Sequence, residues 1–416
     1  MKRISLTLCG IAAALAAILI VPSGIVTGTS PPMSTAATPD PMNHPDGLAW
    51  HLFAKVVAAT KFTDSRGRGV PTFLSWASDS DTFGLKPTWP ANPTGGVQIR
   101  KNRPTQQVAG AETDCDKVPA IIKLHCAALE DVRRNHAAFD YIAGHGLNTR
   151  SGLKKAFGTR VDFPSDTLEV KTNWIYADRL RDYGYPDRVA LSPDDYFYTA
   201  FDSHGMKMAL LSMHVISRLV PNWTWATFEH FANPGRCDII GCRDSFGARI
   251  SFVPPRQEAV GGPKGKWGNQ YGECAKTQEA QALLRSLPKV FSNYCLKGTQ
   301  TDFTEPTGLA IRMGNSITEG GFVDSSSCMT CHASAGWDKD GLMLETGNPI
   351  GPVNPAWFWD MPVAATPVGR SGPPERGTGK LIGTRAEFVW SIPYCAFDDL
   401  NPDPAQRKSQ CVDAGE

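Results

Sequence analysis

The pentapeptide Cys328-Met329-Thr330-Cys331-His332 constrains this chain more than any other stretch. It puts two thiols within one turn and an imidazole directly after the second. Whatever fold forms must therefore bring all three to one surface. With 11 cysteines and 9 histidines among 416 residues, such a match arises by chance with a frequency of about 0.006. The spacing is that of covalent haem attachment. Each thiol can form a thioether with one vinyl edge of the porphyrin, and the histidine then lies under the iron as proximal ligand. Two other readings compete. A C-x-x-C pair can be a redox dithiol at a helix start, with the histidine incidental. A zinc site needs a second ligand pair, and the sequence has no further C-x-x-C or H-x3-5-H cluster.

The tail beyond the motif narrows the fold. The last 76 residues contain ten prolines and are rich in glycine, a composition hostile to long helices. A haem wrapped by its own downstream helices is therefore not expected. The expected fold class is α+β, with mixed helices and an antiparallel sheet on which the Pro/Gly-rich haem region packs. The expected division is a signal peptide at 1–28, a linker at 29–45, an α+β domain at 46–310 and a haem-attachment region at 311–416 that does not fold alone.

Lys2 and Arg3 followed by the apolar run from Leu8 to Val21 read as an export signal. The run is short for a membrane span, so a stable span is not expected, although an uncleaved anchor is the alternative. A periplasmic location follows. Setting aside Cys9 and the two motif cysteines leaves eight, which fall into neighbours: Cys115 with Cys126, Cys237 with Cys242, Cys274 with Cys295, and Cys395 with Cys411. Disulfides fit an exported chain, but the pairing rests on proximity alone. A formal charge of +1 offers no footprint for nucleic acid. The basic run Arg100, Lys101, Arg103 reads as a solvated loop.

Leu48, Leu52, Phe53, Val56 and Val57 recur at helical spacing, with Asp46 placed to cap. Residues 61–118 read as loops and short strands, and 120–144 as a second helix ended by Gly144 and Gly146. From Thr167 the period becomes two: Leu168, Val170, Thr172 and Trp174 alternate with Glu169, Lys171 and Asn173. Lys207 to Ser217 and Trp223 to Phe231 read as an antiparallel hairpin, with Met206, Met208, Leu210, Ser212, His214 and Ile216 on one face of its first strand. On its second strand Trp223, Trp225, Thr227 and Glu229 share a face. A helix fits Thr277 to Leu287.

At Cys328-Met329-Thr330-Cys331-His332 the chain resembles monohaem c-type cytochrome proteins of bacterial envelopes, and the lead-in Asn315-Ser316-Ile317-Thr318-Glu319-Gly320 shares in that resemblance. Trp223-Thr224-Trp225-Ala226-Thr227-Phe228-Glu229-His230 is similar to a segment of large exported proteins loosely called cytochrome c family. The resemblance implies one haem c bound through Cys328 and Cys331, His332 as proximal iron ligand, and electron transfer to a redox partner protein. The 280 or so preceding residues fall outside it. The sixth iron position separates a carrier from a catalyst. Met361, before Pro362 and after Trp357-Phe358-Trp359, is the leading candidate; Met343, His214 and His230 are alternatives. Each has a plain packing role to set against ligation. Glu169 and Lys171 could serve as acid and base beside an open iron, or form a surface ion pair. Alternatives to electron transfer are a haem-dependent oxidoreductase acting on a small substrate and a haem-containing sensor or binding protein.

Overall fold

One antiparallel sheet organises the protein. The computed structural model describes residues 39–100, 120–256, 267–344, 350–361 and 377–411. The sheet's strands are β1 (Ala77–Ser78), β2 (Leu129–Arg134), β3 (Leu168–Tyr176), β4 (Thr199–Phe201), β5 (Lys207–Ser217), β6 (Thr224–His230) and β7 (Tyr294–Gln300). Their order is β7-β6-β5-β3-β2-β1, with β4 also paired to β5. The helices needed below are α1 (Pro45–Val57), α2 (Ala120–Ala127), α3 (His136–Gly144), α4 (Gln278–Leu284), α5 (Cys328–Ala333) and α6 (Ser391–Cys395). The architecture is α+β. From Thr38 onward the chain forms one compact unit. Among the described residues no helix is long and apolar enough to cross a membrane. The residues expected to form an export signal, and most of those expected to form a linker, lie outside the described residues.

The two faces of the sheet differ in chemistry. On one, Met213, Val215, Ala226 and Phe228 meet Leu48, Phe53 and Val57 of α1 in an apolar core, where each large side chain contributes about 1.5–3 kcal/mol. Phe53 stacks on Phe228 at 4.3 Å between ring centroids. On the other face charged side chains are buried in rows. Arg134 pairs in register with Glu169, and Glu130 with Asn173; Lys171 lies opposite His214, and His214 opposite Thr227.

Several expectations are corrected here. The helix expected over 120–144 is two helices separated by β2, because Leu129–Arg134 pairs with β3 over its whole length. Tertiary pairing overrides local spacing there. The polar half of β3 does not face solvent and its members are not surface ion pairs: Lys171 meets buried Glu130 at 3.0 Å, and Glu169 meets Arg134 at 3.4 Å. The single face expected for β5 breaks at a register shift beside Leu210. Met208 and Leu210 join the apolar core, whereas His214 and Ile216 lie on the polar side. Asp46 does not cap α1, whose N-cap is His44; its carboxylate accepts from Ser245 N and Oγ, both at 2.7 Å. Arg100 is buried, donating to Asp79 at 2.6 Å and to Ser391 of α6 at 2.7 Å. The hairpin of β5 and β6 forms as expected, and Thr277 caps α4.

Asp79 lies between Arg100 and Arg134. Burial alone would raise its pKa, but the two guanidinium groups hold it below the ordinary value. Arg134, with no exposed surface, also donates to Ser78 O at 2.8 Å and Thr82 Oγ1 at 2.7 Å. Arg134→Met should therefore strand Glu169, leave Asp79 with Arg100 alone and lower stability by about 3–5 kcal/mol. Urea denaturation checks this, and a loss below about 1 kcal/mol would mean the network is not coupled in this way.

Candidate functional site

Helix α5 is the motif itself. Ser327 is its N-cap, and Gln300 at the end of β7 clamps that end, donating to Ser327 Oγ at 2.9 Å and accepting from Met329 N at 3.2 Å. Thr330 Oγ1 donates to Gly351 O at 2.7 Å, and Trp390 Nε1 donates to Cys331 O at 3.0 Å. Cys328, Met329 and Ala333 share a hydrophobic core with Ile216, Trp223 and Trp225 of the body. The motif is thus fastened to the sheet on one side and to the tail on the other.

Cys328 and Cys331 are the two free cysteines among the described residues. Cys237–Cys242, Cys274–Cys295 and Cys395–Cys411 are disulfides. Cys126 is also disulfide-bonded, while Cys115 lies outside the described residues. Burial pushes the Cys331 thiol up to about 11 and the Cys328 thiol well above its ordinary value. One further group, Asp79 with Cys395 and Cys411, has donor atoms close enough for a metal. Its sulfurs are spent on a disulfide and its carboxylate on two arginines, so it is no ligand set.

His332 Nδ1 lies 2.7 Å from the carbonyl oxygen of Phe388. That oxygen only accepts, so Nδ1 carries the proton and the Nε2 lone pair is left for a metal. The ring packs against Trp225, 4.5 Å between centroids. Burial pushes its pKa down to about 3; the carbonyl works against this, and Lys171 and Arg100 add to it. Glu387 and Phe388 both have left-handed backbone, φ 46° and 71°, which for such residues stores on the order of 1–3 kcal/mol each. Glu387 is anchored by Phe163 N at 2.5 Å and Arg218 Nε at 2.7 Å. Phe388 packs near Trp223 and Trp225. Phe388 has no signal in the sequence because it acts through its main chain.

Beside the motif, the loop before it closes over the polar rows. Asn315 Oδ1 accepts from Ile317 N and Thr318 N, so its amide NH₂ points to His214 Nε2 and Thr227 Oγ1, each at 3.0 Å. Ser316 N donates to Glu229 at 2.9 Å, and Thr318 Oγ1 donates to Asn173 at 2.6 Å. The two segments that carry the resemblance, 223–230 and 315–320, therefore meet here. Glu319 sits 3.8 Å from His214. Burial raises its pKa to about 7 against the pull of Lys171 and of its bond from Asn315 N. His214 is held down to about 3 by burial first, then by Lys171 and His332.

The candidates for the sixth iron position separate. His214 lies on the motif side of the sheet, with Nε2 accepting from Asn315. His230 lies on the other face, stacked on Phe197 at 3.8 Å; its Nε2 donates to Tyr196 O at 3.1 Å and its Nδ1 accepts from Ala232 N at 3.2 Å. Met361 is at the surface, 43 % exposed. Met343 packs against the cluster that holds Cys328 and Met329 and lines a cavity with Arg150 and Tyr394. Cys328, Cys331 and His332 suit haem c in donor chemistry, with two thiols on one turn and one imidazole whose free nitrogen is set by a fixed acceptor. Compared with family models, curated proteins and solved structures, the chain matches none.

Both nitrogens of neutral His230 are satisfied, and its pKa is about 3, lowered by burial first, raised somewhat by its bond to Tyr196, and lowered again by Arg236 and Lys276. A folded-state pKa below the unfolded one of about 6.5 contributes stability above that value, which is lost as pH falls toward the folded pKa. Between pH 6.5 and 4 wild type should therefore lose stability faster than His230→Phe, by at most about 1.4 kcal/mol per pH unit. Urea midpoints across that range check it, and parallel slopes would overturn it.

Proposed function

We propose that this chain is an exported c-type haem protein that transfers electrons through one haem bound covalently by Cys328 and Cys331, with His332 as the proximal ligand. The observation that carries this reading is the bond from His332 Nδ1 to the Phe388 carbonyl: it sets the tautomer and the ring plane that ligation by Nε2 requires. When bound, the group would supply one-electron Fe(II)/Fe(III) chemistry. The protein's part is to hold and tune. Gln300 and Ser327 fix the turn that presents both thiols. Trp225 and Phe388 form apolar walls at His332. Lys171 and Arg100, whose charges already act on His332, are placed to offset negative charge nearby. The disulfides suit an oxidising compartment such as the periplasm, and a redox partner protein is implied.

A second reading has its own support. Glu319, His214, Lys171 and Glu130 form a buried polar cluster beside the motif, more than a simple carrier needs. That favours a haem oxidoreductase acting on a small substrate. Carbon monoxide binding to the ferrous protein separates the two readings, since only an open iron binds it.

Full-length protein made with an export signal and haem-attachment machinery should keep its pigment under denaturing conditions. Cys328→Ala with Cys331→Ala should lose it entirely. His332→Ala should retain the thioethers but shift the ferric spectrum to high spin. Colourless wild type, or pigment that washes out under denaturation, would sink the proposal.

A further inference from the structure

One disulfide differs from the others in its exposure. Cys237, Cys242, Cys395 and Cys411 are all buried, as is Cys295 on β7. Cys274 alone among the described disulfide cysteines is half-exposed, and it opens on a cavity of about 590 Å³. The Nζ of Lys276 lies 3.3 Å from its sulfur and also donates to Ser292 O at 2.5 Å. Neither partner is a carboxylate. Lys276 is itself buried, and burial lowers its pKa to about 8, so it remains largely a cation at neutral pH. Arg285 and Lys289, both exposed, stand at the same cavity, against one acid, Glu273.

We propose that Cys274–Cys295 is a thiol-exchange site for anionic thiols, a role independent of the haem reading. A staple buried at both ends offers no line of attack, whereas Cys274 is only half-buried and lines a cavity with a cationic mouth. The incoming thiolate sulfur attacks Cys274 Sγ. A new S–S bond forms there, the Cys274–Cys295 bond breaks, and its electron pair stays on Cys295 Sγ, which takes a proton from solvent. A second thiolate then attacks the incoming sulfur of the mixed disulfide and expels Cys274 as a thiolate beside Lys276 Nζ. Two thiols are oxidised to one disulfide and the protein disulfide is reduced to a dithiol, so no further oxidant enters. The ammonium lowers the pKa of the departing Cys274 thiol, and a lower-pKa thiol leaves faster. The positive mouth favours a thiol carrying carboxylates.

Reduced glutathione and cysteamine are the probes, an anionic thiol against a cationic one, applied in graded amounts to the full folded chain. Acid quenching, alkylation with a mass tag and peptide mapping give the readout, with circular dichroism following the fold. Cys274–Cys295 should open at lower glutathione than Cys237–Cys242 and Cys395–Cys411 and before any unfolding, with the glutathione adduct on Cys274. Lys276→Gln should slow release of the dithiol on the order of tenfold. Arg285→Glu with Lys289→Glu, both at exposed positions, should abolish the preference for glutathione over cysteamine, and this pair keeps the test alive should Lys276→Gln not fold. Opening together with the buried disulfides, opening only on unfolding, an adduct on Cys295, or a preference untouched by the exposed charge reversals would each overturn the proposal.

Discussion

Charge buried on one face of a sheet is the constraint on which the rest of this structure depends. Lys171 against Glu130, Lys297 against Glu229 and Arg134 against Asp79 and Glu169 have all lost water, and each removal is expensive unless the remaining lone pairs and protons find partners. An apolar lid would leave them short. The loop at 313–319 is instead a polar lid, returning bonds through Asn315, Ser316 and Thr318. The motif comes directly after that lid, at residue 328. Its position is therefore fixed both by hydrogen bonds to the sheet and by apolar packing around Trp225 and Met329.

That logic explains which parts of the fold are legible in the chain and which are not. The strands at 168–176 and 207–217 and the antiparallel pairing at 224–230 are visible because β-branched and aromatic residues alternate there, and the alternate faces of β6 separate as the pattern implies. The polar alternates of β3 look like a solvated face, since charged residues are mostly exposed. Pairing with Glu130 and Arg134 of β2 and the lid that reaches Asn173 from 145 residues away bury them. The segment 129–134 misleads for the same reason: Leu129 and Val132 continue a helical spacing, while the ion-pair partners that reward an extended backbone lie on β3 and at Asp79, directly after β1. Alternation along β6 already separates His230 from Thr227, the partner of His214, whereas the shift beside Leu210 that takes His214 off the face of Met208 and Leu210 leaves no trace in the sequence.

Cysteine pairing shows the opposite balance. Short separations make Cys237–Cys242, Cys274–Cys295 and Cys395–Cys411 natural neighbours, and all three form. Proximity carries no hint of environment. Cys395 and Cys411 close the tail beneath Asp79, whereas Cys274 looks into a cavity beside a buried lysine. Equal chemistry in the sequence becomes unequal accessibility in the fold.

The turn at Glu387 and Phe388 joins these threads. Two successive non-glycine residues with positive φ would relax if left to themselves, so something must hold them. Glu387 is held by Arg218 and by Phe163 N, which reach from the end of β5 and from the segment before β3. Phe388 is held by the tryptophans at the start of β6. The strain has one visible product, a carbonyl oxygen aimed at His332 Nδ1, and a relaxed turn would aim it elsewhere. The body of the protein, well over a hundred residues earlier in the chain, thereby decides which nitrogen of His332 is free. Were the motif to hold the proposed haem, its Pro-rich tail would need no long helix of its own, because the body supplies that orientation through Glu387 and Phe388.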